Sequence, residues 1–222
     1  MIKARHSRIA KFLFHHYIKN LLSRHFADFQ LFGKMPQLDP GLPLLLLPNH
    51  STWWDGFFVY LLNETLIRRP IYLMMLEEQL KKYHFFSRVG AFSIEPENAK
   101  STLRTLDYTA GILNSKTSPL PLICMFPQAE LVPWGKRPLN LKRGVEWLIQ
   151  KTEQEINLLP LAMKAEYLGL KLPQVFFQFG DNQIVDSRSF PGMDWLENQL
   201  ETLLDDMAGK IADQERGRSL RL

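Results

Sequence analysis

Apolar and polar positions follow one another along the chain in blocks of different period, and these blocks predict alternating strands and helices. Predominantly apolar segments, which predict strands buried in the fold, occur at 44–47, 71–76, 122–126, 156–164 and 174–179. Helical periodicity covers 54–66, 99–113, 141–152 and 193–214. The alternation predicts an α/β fold: a layered domain with a central, mostly parallel or mixed sheet flanked by helices.

The first 32 residues carry a helical pattern with an apolar side and a basic side. One apolar row consists of Ile9, Leu13, Tyr17 and Leu21, the adjacent row of Ala10, Phe14, Ile18, Leu22 and Phe26, and the other side of Arg8, Lys11, His15 and Lys19. Such a helix is typical of a membrane interface, and packing against the protein's own domain is the alternative. A loop rich in glycine and proline follows at 33–43. We therefore divide the chain into a basic amphipathic membrane-surface helix at 1–32 and a domain at 33–222.

The distribution of charge restricts the possible partners. Six of the 27 Lys and Arg residues precede Asp28, the first acidic residue, so 21 bases face 23 acids in the rest of the chain. This remainder has no basic stripe, which argues against nucleic acid as a partner. A membrane surface with anionic lipids is the expected partner of the basic N-terminal helix.

Length and cysteine content exclude several classes of protein. A chain of 222 residues has the size of one ordinary domain. The single cysteine, Cys124, excludes an internal disulfide framework and favours a reducing compartment. No apolar run approaches the roughly 20 residues of a membrane-spanning helix, and the first residues lack the pattern of a secretory signal. We expect a cytoplasmic protein that associates peripherally with a membrane.

The most informative stretch for chemistry is 48–56, which reads PNHSTWWDG between a buried strand and a helix. Reactive groups in α/β sheets gather at the carboxyl ends of strands. At such a junction the carboxylate of Asp55 can fold back onto the imidazole of His50, fix its tautomer and leave the other ring nitrogen to accept a proton. The alternative for His50 is a helix cap or a packed residue, because the spacing alone is weak evidence.

Four blocks in order give a more specific signal. The block His50 to Asp55 resembles the first signature of the glycerolipid acyltransferase superfamily, which includes lysophosphatidic acid and glycerol-3-phosphate acyltransferases. FFSRVGAFSI at 85–94, with Gly90, resembles the second block. FPQAE at 126–130, with Phe126 and Pro127, resembles the third, and LPLA at 159–162, with Pro160, resembles the fourth.

The resemblance implies an O-acyltransferase of the His-x4-Asp type that acts in lipid metabolism. His50 would be the general base on an acceptor hydroxyl and Asp55 would orient it. The acyl donor would be the thioester of acyl-CoA or acyl-carrier protein, used as a co-substrate. Neither a metal nor another cofactor is implied.

Two departures from the family concern the acceptor. The family's third block continues Gly-Thr-Arg after Phe-Pro-Glu, whereas this chain has Gln128 followed by Ala129, Glu130 and Leu131. The second block is followed in the family by an arginine, and this chain has Glu95 and Pro96 there. The resemblance implies that these two arginines hold the acceptor's phosphate, and a leucine or glutamate cannot replace a guanidinium.

Four residues are candidates for binding the acceptor. Gln128 and Glu130 would suit hydrogen bonding to an uncharged polar head such as a sugar. Lys136 and Arg137 could replace the missing arginines, with Lys142 and Arg143 as the alternative pair, and a solvated basic turn is the other interpretation of all four basic residues.

These observations predict transfer of a fatty acyl group to a hydroxyl of a lipid acceptor that is non-phosphorylated or glycosylated. One alternative is a lysophosphatidic acid acyltransferase, with a role in phospholipid biosynthesis, that uses Lys136 or Arg137 for phosphate. A second alternative is a catalytically silent lipid-binding protein that keeps the fold, and a third is hydrolysis of acyl-CoA by water.

Overall fold

The computed structural model describes residues 1–220 and contains a mixed β-sheet with helices on both faces. The strands are β1 (Asp28–Phe32), β2 (Leu44–Pro48), β3 (Ile71–Leu76), β4 (Ala91–Ile94), β5 (Leu122–Cys124), β6 (Ile156–Glu166), β7 (Gln174–Phe179), β8 (Gln183–Val185) and β9 (Arg218–Ser219). The α-helices are α1 (Arg8–His25), α2 (Asp55–Leu62), α3 (Glu77–Lys82), α4 (Ala99–Leu113), α5 (Gly144–Lys151) and α6 (Met193–Ala212). This architecture confirms the predicted α/β fold class.

The sheet follows the order β4-β3-β5-β2-β6-β7-β1-β9, with β8 paired to β6. Strands β4, β3, β5, β2 and β6 run parallel to one another. Strand β7, on the other side of β6, is antiparallel to it. Strand β2 lies between β5 and β6, and its four leucines have no solvent exposure. The carboxyl ends of the parallel strands therefore meet at one edge of the sheet, where α/β proteins place their sites.

Two apolar clusters cover the two faces of the sheet, because successive strand residues point to opposite sides. On β3, Leu73 packs in the cluster that includes α1 and α2. Its neighbour Met74 packs in the cluster that includes α4, α5 and α6. The helices supply the apolar layers that a sheet buried on both faces needs.

Helix α1 packs on the sheet domain through one of its two apolar rows. Ala10, Phe14, Ile18 and Leu22 are buried, whereas Ile9, Leu13 and Tyr17 of the other row are more than half exposed. Ser7 caps the helix, since its hydroxyl accepts a hydrogen bond from the backbone N–H of Ala10 at 3.3 Å. Packing on the domain thus uses mainly one row; of the other row, Leu21 packs against the core and the three preceding residues are exposed.

Some element bounds differ from the sequence prediction. Residues 28–32, which we placed with the N-terminal helix, form β1 and pair in parallel with β7. The helix predicted at 54–66 ends at Leu62 and continues as a π-helical turn (Asn63–Ile67), which stops at Arg68 in the left-handed region (φ 61°). The strand predicted at 122–126 leaves the ladder after Cys124, and the segment that follows turns over the site described below.

Within residues 1–220, no helix has the length and apolarity required to cross a membrane.

Of the glycines, Gly90 lies closest to a neighbouring stretch of backbone. It has φ 107°, and a β-carbon placed there would lie 2.0 Å from the carbonyl oxygen of Ile71. It follows a short 3-10 helix (His84–Val89) and precedes β4. Both the backbone conformation and the space therefore require glycine at the centre of the second block.

We expect Gly90→Ala to lower the free energy of unfolding by at least about 3 kcal/mol, because backbone strain and a backbone clash add. Gly111→Ala is the matched control: Gly111 is an exposed residue of α4 with open space around its β-carbon position. That change should stabilise the protein by about 0.5–1 kcal/mol. Denaturant unfolding of both variants measures the difference, and equal effects would contradict the role of Gly90.

Candidate active site

The loop at 49–54 joins the carboxyl end of β2 to α2 and carries His50. Asn49 fixes the loop to the neighbouring strand β6. Its side-chain oxygen accepts the backbone N–H of Met163 at 2.7 Å, and its amide group donates to the carbonyl of the same residue at 3.1 Å. Asn49 is buried, so this two-way bond holds the start of the loop in one position.

His50 and Asp55 form a hydrogen-bonded pair. Nδ1 of His50 donates to Oδ2 of Asp55 at 2.9 Å. The backbone N–H groups of Ser51 and Thr52 donate to the same oxygen at 2.7 and 3.0 Å, and the hydroxyl of Thr52 donates to Oδ1 at 2.6 Å. Asp55 is 3% exposed and lies in the first turn of α2, where the helix dipole favours a negative charge.

This geometry leaves one ring nitrogen of His50 for a substrate. Because the carboxylate of Asp55 only accepts hydrogen bonds, it fixes the proton on Nδ1 and leaves the lone pair on Nε2. The side chain of His50 is 23% exposed, and it lines an apolar cavity. The arrangement can therefore take a proton from a bound hydroxyl.

Residues of the third block contact both the ring and the backbone of His50. The ring of Phe126 stacks on the imidazole with 4.0 Å between ring centroids and an interplanar angle of 19°. The backbone N–H of His50 donates to the side-chain oxygen of Gln128 at 2.6 Å, and its carbonyl accepts from Val132 N–H at 2.9 Å. Two blocks about 75 residues apart thus hold one side chain, which explains their joint presence.

The four candidate acceptor residues do not converge. Gln128 is buried and braces the backbone of His50, whereas Glu130 is exposed and lines the cavity. Arg137 donates to Oδ1 of Asp205 in α6 at 2.8 Å, and also to two backbone carbonyls. Lys136 is exposed and outside the cavity lining. Of the four, only Glu130 lies where it can contact a ligand bound beside His50.

The motif residues have structural positions. Phe126 packs on His50, and Pro127 is buried behind it. Pro160 pairs with Leu47 of β2 in the ladder, and its carbonyl accepts from Gly180 N–H at 2.9 Å. Gly90, in contrast, precedes β4 and lies beside Ile71, at the opposite, amino end of these strands.

Sequence reasoning missed the residues that hold the pair in place. Asn49 and Thr52 flank His50 in the motif, but their bonds to Met163 and Asp55 depend on the loop conformation. Lys142 also lines the cavity, and its Nζ lies 4.0 Å from Oε1 of Glu130. The sequence had offered Lys142, with Arg143, as a second basic pair for the acceptor, but not its contact with Glu130.

The cavity beside His50 has a volume of about 650 Å³ and is lined mostly by apolar side chains. It touches both apolar clusters of the protein: Leu73 and Phe86 belong to one side, and Leu106 and Met125 to the other. Ligand pockets of this size and character bind apolar molecules and orient them with few polar groups.

Other reactive groups are not placed for chemistry. Cys124 is fully buried, and burial raises the pKa of its thiol well above its ordinary value. In residues 1–220, no group of three or more His, Cys, Asp or Glu side chains is placed to hold a metal ion.

The family model described as Acyltransferase matches residues 32–164. The matched region contains all four blocks, including His50, Asp55 and the loop that covers them. The chain belongs to the acyltransferase family. Membership in this glycerolipid acyltransferase family gives the protein a general activity, acyl transfer to lipid acceptors. No curated protein matches the chain.

The loop of the third block, at 126–130, contains one residue with strained backbone angles, Ala129. Ala129 has φ 60°, in the left-handed region that glycine adopts without cost. The family has glycine at this place in the block. This chain therefore keeps the loop conformation but has a side chain that disfavours it.

We expect Ala129→Gly to raise the free energy of unfolding by about 0.5–1 kcal/mol, because it removes left-handed strain that outweighs the added freedom of the unfolded chain. Ala208→Gly in the interior of α6 is the control and should cost about 1 kcal/mol. Urea unfolding measures both changes. A loss of stability in Ala129→Gly would mean that the left-handed residue is not strained.

Proposed function

We propose that the protein transfers a fatty acyl group from a thioester to a hydroxyl of a membrane lipid, with His50 as general base. The observation that carries this proposal is the His50–Asp55 pair at the wall of an apolar cavity. The family supplies the reaction class, and the pair supplies a proton acceptor where two apolar substrates can meet.

The proposed reaction needs only groups of this chain and its two substrates. Nε2 of His50 takes the proton of the acceptor hydroxyl as its oxygen attacks the thioester carbonyl carbon. Asp55 holds the ring and stabilises the imidazolium that forms. When the tetrahedral intermediate collapses, the C–S bond breaks and the imidazolium returns its proton to the thiolate. The products are an ester and the free thiol of coenzyme A or acyl-carrier protein.

The acceptor proposal rests on what stands where the family has arginines. Leu131 is 54% exposed and lines the cavity, and Pro96 lines it as well. Arg137, the candidate substitute, is engaged by Asp205. An acceptor head without phosphate needs no guanidinium fork, so these contacts support a neutral or glycosylated head group.

The proposed location is the cytoplasmic surface of a membrane. Ile9, Phe12, Leu13 and Tyr17 project from α1 into solvent. Residues 1–27 contain Lys and Arg but neither Asp nor Glu. Exposed apolar side chains flanked by cations fit a bilayer with anionic head groups. On the inner side of the same helix, Phe14 lines the cavity, so a docked α1 would bring the cavity close to the lipid.

We expect His50→Ala to abolish acyl transfer and Asp55→Asn to lower the turnover number by a factor on the order of 10³–10⁴, because the asparagine leaves the ring without its tautomer control. Purified protein is incubated with labelled palmitoyl-CoA or palmitoyl-carrier protein and total cell lipid, and products are identified by mass spectrometry. Gln154→Ala, remote from the cavity lining, is the control and should retain activity.

Other results would assign another function. Absence of a His50-dependent product with either donor would favour a lipid-binding protein. Free fatty acid formed without any acceptor would indicate a thioesterase. Strong turnover of lysophosphatidate would contradict the proposed neutral head group.

Liposome flotation tests the membrane proposal. We expect Ile9→Ser, Leu13→Ser and Tyr17→Ser together to lower partitioning onto anionic vesicles by at least about 100-fold, since each removes one to two kcal/mol of apolar burial. Ile184→Ser removes a large apolar residue that is 46% exposed and far from α1 in sequence, and it should have no effect. Substitution is preferable to deletion of α1, because deletion would expose the core that Phe14, Ile18 and Leu22 cover. Unchanged flotation of the triple variant would exclude this face of α1 as the anchor.

A further inference from the structure

The cavity beside His50 has two arms, one on each face of the sheet. The first arm lies between α2 and β3 and is lined by Gly56, Phe57, Tyr60, Leu73, Phe86 and Val89. The second lies on the α4 and α5 side and is lined by Met74, Thr102, Leu106, Met125 and Gly144. Leu73 and Met74 are neighbours on β3 that point to opposite faces, so the cavity passes over the carboxyl edge of the sheet.

A reaction between two lipids at one base requires such an arrangement. The oxygen of the acceptor hydroxyl must lie close to the thioester carbonyl carbon, and its proton must be within reach of Nε2 of His50. Two long apolar groups cannot reach that point along the same channel. A cavity that extends from His50 in two directions gives each apolar group its own compartment.

The first arm has the dimensions of an acyl-chain site. The residues of β3 on its face are Ile71, Leu73 and Met75, which span about 13 Å at the rise of a β-strand. Its far end is lined by Phe14, Tyr60 and Ile71. An elongated apolar channel suits an unbranched chain, and this arm is therefore the better fit for the acyl group of the donor.

The second arm has a different chemical character. Thr102 brings a hydroxyl, which donates to the carbonyl of Glu95 at 2.8 Å. Glu130 and Lys142 face each other at 4.0 Å at the cavity wall. Among the described residues of the lining, Lys142 is the only Lys or Arg, and Glu130 offsets its charge. This arm fits an apolar body that carries a hydroxyl and an uncharged head.

We infer that the second arm, bounded by Met74, Leu106, Met125 and Gly144, binds the apolar body of a neutral, hydroxyl-bearing acceptor lipid, while the first arm binds the donor's acyl chain. This inference rests on the acyl transfer and the neutral head group proposed above, and it adds where each substrate lies.

Two glycines, one in each arm, allow the assignment to be tested with the same substitution. A β-carbon on Gly144 would approach the flexible methyl of Met125 at 2.9 Å, and one on Gly56 would lie 3.6 Å from a methyl of Leu73. Both residues lie in the first turn of a helix, where a leucine does not disfavour the backbone. Gly144→Leu fills the second arm, Gly56→Leu fills the first, and Gly111→Leu adds the same side chain where nothing lies within 4 Å.

Equilibrium binding is measured with three probes. Monooleoylglycerol and oleoyl lysophosphatidate share an apolar body and differ in the phosphate. S-hexadecyl pantetheine represents the donor, because it contains the part common to coenzyme A and acyl-carrier protein and its thioether cannot be transferred.

We expect Gly144→Leu to weaken monooleoylglycerol binding by at least about tenfold and to leave S-hexadecyl pantetheine within about twofold, a difference of more than 1 kcal/mol in selectivity. Gly56→Leu should do the reverse, and Gly111→Leu should change neither. Wild-type protein should bind monooleoylglycerol at least about tenfold more tightly than lysophosphatidate. Met74→Phe, which fills the second arm from the sheet, replaces Gly144→Leu if that variant fails to show a cooperative thermal transition.

Three results would overturn the inference. They are weaker thioether binding in Gly144→Leu with monooleoylglycerol unaffected, no effect of either arm variant, and equal wild-type affinity for the two oleoyl lipids. The His50-dependent transfer assay tests the function separately. Transfer without the arm-specific binding pattern would refute the inference alone, and the binding pattern without transfer would refute the proposed function alone.

Discussion

The candidate site depends on the carboxylate of Asp55, which gathers four donors at the start of α2. It receives Nδ1 of His50, two backbone N–H groups and the hydroxyl of Thr52. The loop after β2 must bend back for these bonds to form, and Asn49 fixes the point where it bends. Because Asp55 is almost fully buried, loss of any one donor would leave a charge poorly solvated. The same bonds therefore stabilise the loop and set the orientation of the imidazole.

The third block extends this arrangement across the sheet. Phe126 and Gln128 follow β5, and β5 is the neighbour of β2 in the ladder. Their contacts with His50 therefore require that β2 and β5 keep their register, in which Leu46 lies beside Cys124. The buried leucines of β2 are thus part of the support of the site. Packing of the sheet and geometry of the base are a single structural requirement.

The sequence was sufficient for features that are local, and insufficient for those that depend on distant partners. The pairing of His50 with Asp55 follows from a strand–loop–helix junction five residues long. The pairing of β1 with β7 joins Asp28 to Gln174, and nothing in a five-residue strand indicates a partner so far along the chain. The sequence alone made Arg137 a candidate for binding phosphate. In the fold, Asp205 of α6 lies beside its guanidinium and pairs with it. Gln128 was assigned to the acceptor, but its side chain binds the backbone of His50 instead. That bond depends on a loop conformation that residue patterns do not encode.

Helix α1 connects the proposed membrane contact to the proposed chemistry. Its inner row includes Phe14, which lines the acyl arm and packs against Tyr60 and Phe86. On its outer row, Ile9, Leu13 and Tyr17 are more than half exposed. One helix thickness therefore separates the proposed bilayer contact from the channel that leads to His50.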